Sequence, residues 1–154
     1  MLSLARETLL SDVAQALIAR LNAELDVQYP EEGANHFRLD PDEVSPGRGV
    51  FLVARLDGEP VGCGALRRLD DTTAELKRMF VDPATRGRGV GRALLDALER
   101  EAAALGVRRL VLETGERQRE ALALYRRSGF VPTAPWGDYI DSPLSLCMEK
   151  VLPG

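Results

Sequence analysis

The sequence predicts a mixed α/β fold: one central sheet of about seven strands flanked by about four helices, in a single domain spanning residues 1–154. Two features carry that expectation. Three strand-like runs follow one another through short turns, and only afterwards do strands alternate with helical periodicity. That order describes a sheet that is antiparallel in one part and crossed over by helices in another. Size agrees, since 154 residues and 16.9 kDa match one ordinary domain. A chain of this length buries roughly 70% of the surface its unfolded form exposes, so its core needs no disulfide or structural metal.

Each element has a local cause. Residues 2–9 are short and apolar enough for a first strand. Ser11 then caps a helix in which Ala14, Leu17, Ile18, Leu21 and Leu25 recur at helical spacing to about Tyr29. From Pro30 to Gly49 the chain is rich in Pro, Gly, Asp and Glu, a long loop with one helical turn, and such loops often line binding sites. The strand Gly49–Leu56 passes through the hairpin signal Asp57-Gly58 into Val61–Leu69. Asp70-Asp71 turns the chain into Thr73–Val81, which Asp82-Pro83 stops because proline lacks a donor and restricts its predecessor. A loop of glycines and arginines, Arg86 to Gly91, opens into a helix carrying Leu94, Leu95, Leu98, Ala102 and Leu105, ended by Gly106. Val107–Thr114 is a strand and Glu120–Ser128 a helix with Gly129 at its C-cap. Phe130–Thr133 and Leu144–Leu152 make the last strands.

Composition excludes several function classes. Hydrophobic residues at 45% and charged residues at 29% argue against disorder. With 20 Lys and Arg against 24 Asp and Glu, a net charge of -4 and a pI near 5.1, the chain is no general nucleic-acid binder. No apolar run approaches a membrane span, and Arg6 and Glu7 interrupt the N-terminus, so neither an anchor nor a signal peptide is expected. Two distant cysteines, Cys63 and Cys147, suit a reducing compartment, the cytoplasm. With one histidine, His36, a zinc site built from His and Cys lacks ligands, and no metal is expected.

The chemistry concentrates at Arg86–Arg92. Glycines at 87, 89 and 91 let backbone N–H groups approach a ligand, while the following helix, through Val90 and beyond, aims its positive end at the same place. Arg86, Arg88 and Arg92 add forked donors suited to phosphate, so the segment reads as a pyrophosphate cradle. A flexible helix entry with solvated arginines is the plainer alternative. A P-loop needs Lys and then Ser or Thr, whereas Gly91 is followed by Arg92 and Ala93. A dinucleotide fingerprint needs G-x-G-x-x-G, whereas this loop reads G-x-G-x-G.

Taken together, Arg86-x-x-Gly89-x-Gly91, the preceding strand AELKRMFV and the later ALALYRRSGF resemble the GNAT superfamily of acyl-CoA-dependent N-acyltransferases. The match is best from about Val50 to Val131, and the tail GDYIDSPLSLCMEKVL resembles, more loosely, a bacterial subgroup acting on small molecules. The resemblance implies acetyl-CoA as acyl-donor cosubstrate and direct transfer to a primary amine of a small molecule or peptide in a ternary complex. It implies that the strand before the loop splays from its neighbour. Met79, Phe80 and Val81 would then pair with the pantetheine arm and polarise the thioester carbonyl. Glu75 takes the place of the family's general base; an amine acceptor is an ammonium at neutral pH and must lose a proton before attack. A solvated strand glutamate, or one paired with Lys77 or Arg78, is the alternative for that residue.

Tyr125 occupies the position near the CoA sulfur, where it would protonate or hydrogen-bond the leaving thiolate, or else serve as a core tyrosine. Full proton transfer from a tyrosine (pKa about 10) to a thiolate (about 8.5) is uphill by roughly 2 kcal/mol, which favours the hydrogen bond. Thr114 and Gln118, the latter where the family often has asparagine, are candidates for the pantetheine arm. The fold would build the acceptor pocket from Tyr29, His36, Phe37, Trp136 and Tyr139, with Glu31, Glu32, Asp138 and Asp141 nearby to receive a cationic amine or to stay solvated. The expected partner is the amine acceptor, with neither nucleic acid nor membrane, and a homodimer is admitted. Cys63 and Cys147 read as core residues, and His36 lacks a triad partner. The competing function is a non-catalytic acyl-CoA-binding sensor or regulatory domain.

Overall fold

The computed structural model describes residues 1–30 and 39–153. Seven strands form one sheet: β1 (Leu2–Arg6), β2 (Gly49–Leu56), β3 (Glu59–Arg68), β4 (Thr73–Val81), β5 (Arg109–Thr114), β6 (Val131–Pro132) and β7 (Leu146–Val151). Their spatial order is β1-β2-β3-β4-β5-β7-β6, with β4 and β5 parallel and every other neighbour antiparallel. The single parallel pair is where a helical crossover joins consecutive strands.

Among the described residues three α-helices accompany the sheet: α1 (Asp12–Gln28), α2 (Val90–Ala104) and α3 (Arg119–Arg127). Against the four expected, the one-turn 3-10 helix Pro41–Val44 supplies the helical turn read in the long acidic loop. The Ser11 hydroxyl accepts from the N–H of Ala14 at 3.0 Å, which caps α1 as its sequence indicates. Asp57 and Gly58 have φ of 52° and 88°, the two positive values that a tight two-residue hairpin requires. β1 is shorter than the apolar run suggests, because Glu7 turns to bind Arg55 and Ser11.

The core lies on both faces of the sheet. On one face α1 packs Ala14, Leu17, Leu21 and Leu25 against Phe51, Val53, Cys63 and Ala65. On the other, Leu94, Leu95 and Leu98 of α2 with Leu122 and Tyr125 of α3 cover Leu52, Leu66, Leu76 and Leu112. Alternate residues of the central strands serve opposite faces, which is why β2 and β3 are nearly continuous apolar runs. Among the described residues no helix is long and apolar enough to cross a membrane.

Candidate active site

Strand β4 builds the site. Its first part, Thr73–Leu76, pairs with Arg109–Leu112 of β5, and the pairing ends there. On its other edge β4 stays paired with β3 as far as Val81, across an irregularity at Gly64. At that point Arg78 has φ +59°, a left-handed backbone that costs a non-glycine residue about 1–3 kcal/mol. Bulges of this kind sharpen twist. β4 and β5 consequently diverge, and Met79–Val81 face a wedge instead of a neighbouring strand. This is the splay expected of them.

A cavity of about 370 Å³ runs along the wedge. Its walls include Met79, Phe80 and Val81, the loop residues Arg86, Gly87, Gly89, Val90 and Gly91, and Gln118 and Tyr125 at α3. Gly89 is the residue before α2 and has φ +78°, so the loop can present backbone where a side chain would be strained. The opening N–H groups of α2 have no intrahelical acceptor and reinforce the helix's positive end. Val90 is itself almost wholly buried in the core, so what it can offer an anion is its N–H.

The arginines are distributed differently from the linear reading. Arg86 lines the cavity, whereas Arg88 and Arg92 do not, and Arg92 bonds Asp96 at 3.1 Å along its own helix. Arg117, Arg119 and Arg127 join Arg86 instead. Arg86 meets Glu120 in an ion pair across the cavity mouth, with side chains 57% and 61% exposed. Glu24, on the facing wall of α1, has its carboxyl raised by burial, an effect that Arg86 offsets and Glu120 adds to.

A second cavity, about 60 Å³, adjoins the first and shares Leu21, Met79, Gln118 and Tyr125 with it. Glu75 lies here, 1% exposed. Arg67, its direct cross-strand partner on β3, donates from Nε at 2.9 Å and approaches the same Oε1 with Nη2 at 2.8 Å. Arg67 also bonds Glu43. The Tyr139 hydroxyl donates to Glu75 Oε2 at 2.6 Å, and Tyr139 is held well above the ordinary tyrosine range by burial and by that carboxylate. Lys77 and Arg78, the partners in the alternative reading of Glu75, line the same cavity, with Lys77 lowered chiefly by burial, and at 1% exposure Glu75 is not a solvated glutamate. Arg78 reaches back to Asn22 of α1 at 3.0 Å. Tyr125 stands at the junction of the two cavities, raised above its ordinary value by burial and then by the charge of Glu113.

Like Arg67, Arg117, Arg119 and Arg127, Glu113 was not singled out by the sequence reading. It lines the second cavity from β5, and burial with the nearby charge of Glu75 raises its carboxyl to about 7, against the Ser145 hydroxyl bond at 2.7 Å and Lys77. The available signal was its place on the strand, two residues from the buried Val111 and therefore on an inward face.

The remaining candidates separate. Thr114 is 2% exposed and sits away from the large cavity, at a void of about 20 Å³ shared with Tyr29, Glu113 and Gln118. Its hydroxyl has no hydrogen-bond partner among the described residues, and such a void has room for about one water. Tyr29 braces the turn before α3: its hydroxyl accepts from the N–H of Arg117 at 2.9 Å, and the Arg117 guanidinium lies 4.9 Å over its ring. Trp136 packs edge-on to Tyr139 at 5.1 Å and lines none of these cavities. Asp138 and Asp141 are exposed. Glu31, Glu32, His36 and Phe37 lie outside the described residues. Cys63 and Cys147 are buried, and burial pushes the Cys63 thiol up to about 12, unsuited to nucleophilic work.

A splayed strand over a glycine-arginine loop, with a tyrosine between two adjoining cavities, is an arrangement with room for two ligands, and its arginines and helix N-terminus suit an anion in the larger one. Comparison with known proteins agrees. The acetyltransferase (GNAT) family model matches residues 14–130. A protein of Azospirillum brasilense named IAA acetyltransferase is 45% identical over 151 residues, covering 97% of each chain. A solved structure from Klebsiella pneumoniae, described as an acyl-CoA N-acyltransferase, superposes with a TM-score of 0.86 at 35% identity over 99% of this chain and 98% of that one. A GNAT acetyltransferase of Elizabethkingia anophelis, solved with acetyl-CoA bound, shares the fold at a TM-score of 0.69 and 20% identity over 98% of each chain. The chain belongs to the GNAT family of acetyltransferases, and it is an N-acetyltransferase. These relatives give no support to a non-catalytic sensor.

Proposed function

We propose that the larger cavity holds acetyl-CoA, the smaller one receives the head of an acceptor bearing a primary amine, and the acetyl group passes directly between them. The observation that carries this reading is that the cavities meet at Met79, Gln118 and Tyr125, so thioester and amine can share one wall. The residues fit the donor. Arg86, Arg117 and the N–H groups opening α2 suit a pyrophosphate, and the backbone of Met79–Val81 suits an extended amide-bearing arm. An N–H of that stretch would polarise the thioester carbonyl. Tyr125, raised above its ordinary value, acts as a hydrogen-bond donor to the departing thiolate in preference to surrendering its proton.

A carboxylate of the smaller cavity, which Glu75 lines, accepts the proton of the amine. Arg88 and Arg92 contribute to the field at the loop and not to direct contact. Tyr139 shapes the acceptor wall, while Tyr29 and Thr114 support the turn that carries Gln118. The reading needs no metal, treats residues 1–154 as a single catalytic domain of the cytoplasm, and leaves a homodimer as the assembly to measure.

Thermal unfolding with and without acetyl-CoA tests it. At about 100 times the dissociation constant, binding adds roughly 2.7 kcal/mol, equivalent to roughly 5 to 10 °C for a domain of this size. Gly89→Val, which forces a side chain onto φ +78°, should unfold cooperatively and lose that shift. Absence of a shift in the wild-type protein at millimolar acetyl-CoA overturns the reading.

A further inference from the structure

We propose that Glu113 is the group that takes the proton of the acceptor amine, and that Glu75 is a positioning residue that, anchored by Arg67, holds Tyr139 in the wall of the acceptor cavity. The inference rests on the two-cavity reading above and decides which carboxylate acts within it.

Three donors engage Glu75: Nε and Nη2 of Arg67 on Oε1, and the Tyr139 hydroxyl on Oε2. Its carboxylate is thereby fixed in a cross-strand ion pair that ties β3, β4 and the segment before β7 together. Glu113 lines the same cavity from the opposite strand, β5, on the far side of the wedge. Among the described residues one side-chain hydroxyl, that of Ser145, reaches its Oε2. Glu75 and Lys77 of β4 and Ser145 before β7 act on it, and its own charge reaches Tyr125 of α3, Tyr139 of the segment before β7 and Cys147 of β7, while Arg78 of β4 lines the same cavity. Tyr125, the tyrosine assigned to the sulfur, feels the charge of Glu113 and shares the smaller cavity with it.

Burial and Glu75 lift the Glu113 carboxyl to about 7, the range in which a base is both available and strong enough at neutral pH. The step balances simply. The ammonium first gives one proton to the Glu113 carboxylate, which passes it to solvent. The neutral nitrogen then bonds to the acetyl carbon, the carbon–sulfur bond breaks with its electron pair going to sulfur, and a second N–H proton passes to Glu113. From there the proton returns through solvent to the thiolate as CoA leaves.

Thiol release from acetyl-CoA is followed across the neutral pH range with a panel of primary amines, and with water as acceptor. In parallel, carboxyl carbons are titrated by NMR in ¹³C-glutamate-labelled protein. Glu113→Gln should lower kcat by about 100-fold and abolish the acidic limb near pH 7, with acetyl-CoA affinity within about twofold. Glu75→Gln should lower the rate yet keep that limb. Ser145→Ala, which retains the carboxylate and removes its hydroxyl donor, should move the limb to higher pH. In the NMR titration, the signal missing from Glu113→Gln should titrate near 7 and respond to acetyl-CoA.

A limb that survives Glu113→Gln, or that disappears in Glu75→Gln, overturns the proposal while leaving the two-cavity reading intact. So does a Glu113 carboxyl that titrates in the ordinary range or ignores acetyl-CoA. Failure of acetyl-CoA to bind the wild-type protein removes both.

Discussion

Tyr125 and Glu113 face one cavity from α3 and β5, and the charge of Glu113 holds the Tyr125 proton more firmly. Tyr125→Phe should therefore depress kcat by about 10- to 100-fold while acetyl-CoA affinity, read by calorimetry, stays within twofold. Glu113 also couples function to stability. Its folded-state value of about 7 lies above the unfolded glutamate value, so the folded protein binds that proton more tightly. The resulting stabilisation is complete below about pH 4 and is lost as pH rises through about 7. Glu113→Gln should accordingly raise the unfolding temperature at pH 8 by a few degrees, on the order of 2 kcal/mol, with no gain at low pH. Tyr125 was legible in the sequence because it stands at a fixed offset from Gly129 in one helix. Glu113 was legible only as an inward-facing strand position, since its character comes from burial and from Glu75, which the folded sheet brings beside it.

At the level of elements, the parts that announced themselves are those with a local cause: the Ser11 cap, the Asp57-Gly58 turn and the loop that ends in Gly89. The bulge of β4 has no such cause. Nothing in an arginine at position 78 signals φ +59°, and the feature follows from Gly64 on the neighbouring strand, where a Cβ would lie 2.6 Å from Met79 Sδ and 2.8 Å from Leu98 Cδ1. Gly64→Ala must push Met79 toward the donor cavity or α2 away from the sheet. It should cost about 1–3 kcal/mol in denaturant unfolding and raise the KM for acetyl-CoA, the second effect separating it from ordinary overpacking. The pairing of Glu75 was likewise invisible along the chain: Arg67 becomes its partner through β3–β4 register, whereas the sequence offered only neighbouring Lys77 and Arg78 as ion-pair partners.

Across the whole molecule, charge is the governing quantity. A protein of net charge -4 must collect an anionic donor with a local patch, and that patch carries its own counterion in Glu120. Because both partners of the Arg86–Glu120 pair are more than half exposed, the pair is worth little, about 0–1 kcal/mol. Glu120→Gln should tighten acetyl-CoA binding by about two- to fivefold at low salt, with the gain fading as ionic strength rises, measurable by titration at two salt concentrations. Wholesale composition showed that the protein was acidic and globular. It could not show that the arginines facing the cavity are Arg86, Arg117, Arg119 and Arg127, a grouping made by the approach of α3 to the loop before α2.

The divergence of β4 from β5 reaches beyond catalysis. Past Leu76 the inner edge of β4 is a run of main-chain groups without a strand beside it, lodged in the middle of a sheet. Any extended molecule that pairs there becomes, mechanically, part of the architecture that joins the sheet's two halves. Occupancy of that gap should therefore protect the folded chain from proteolysis, read as slower digestion in the presence of acetyl-CoA.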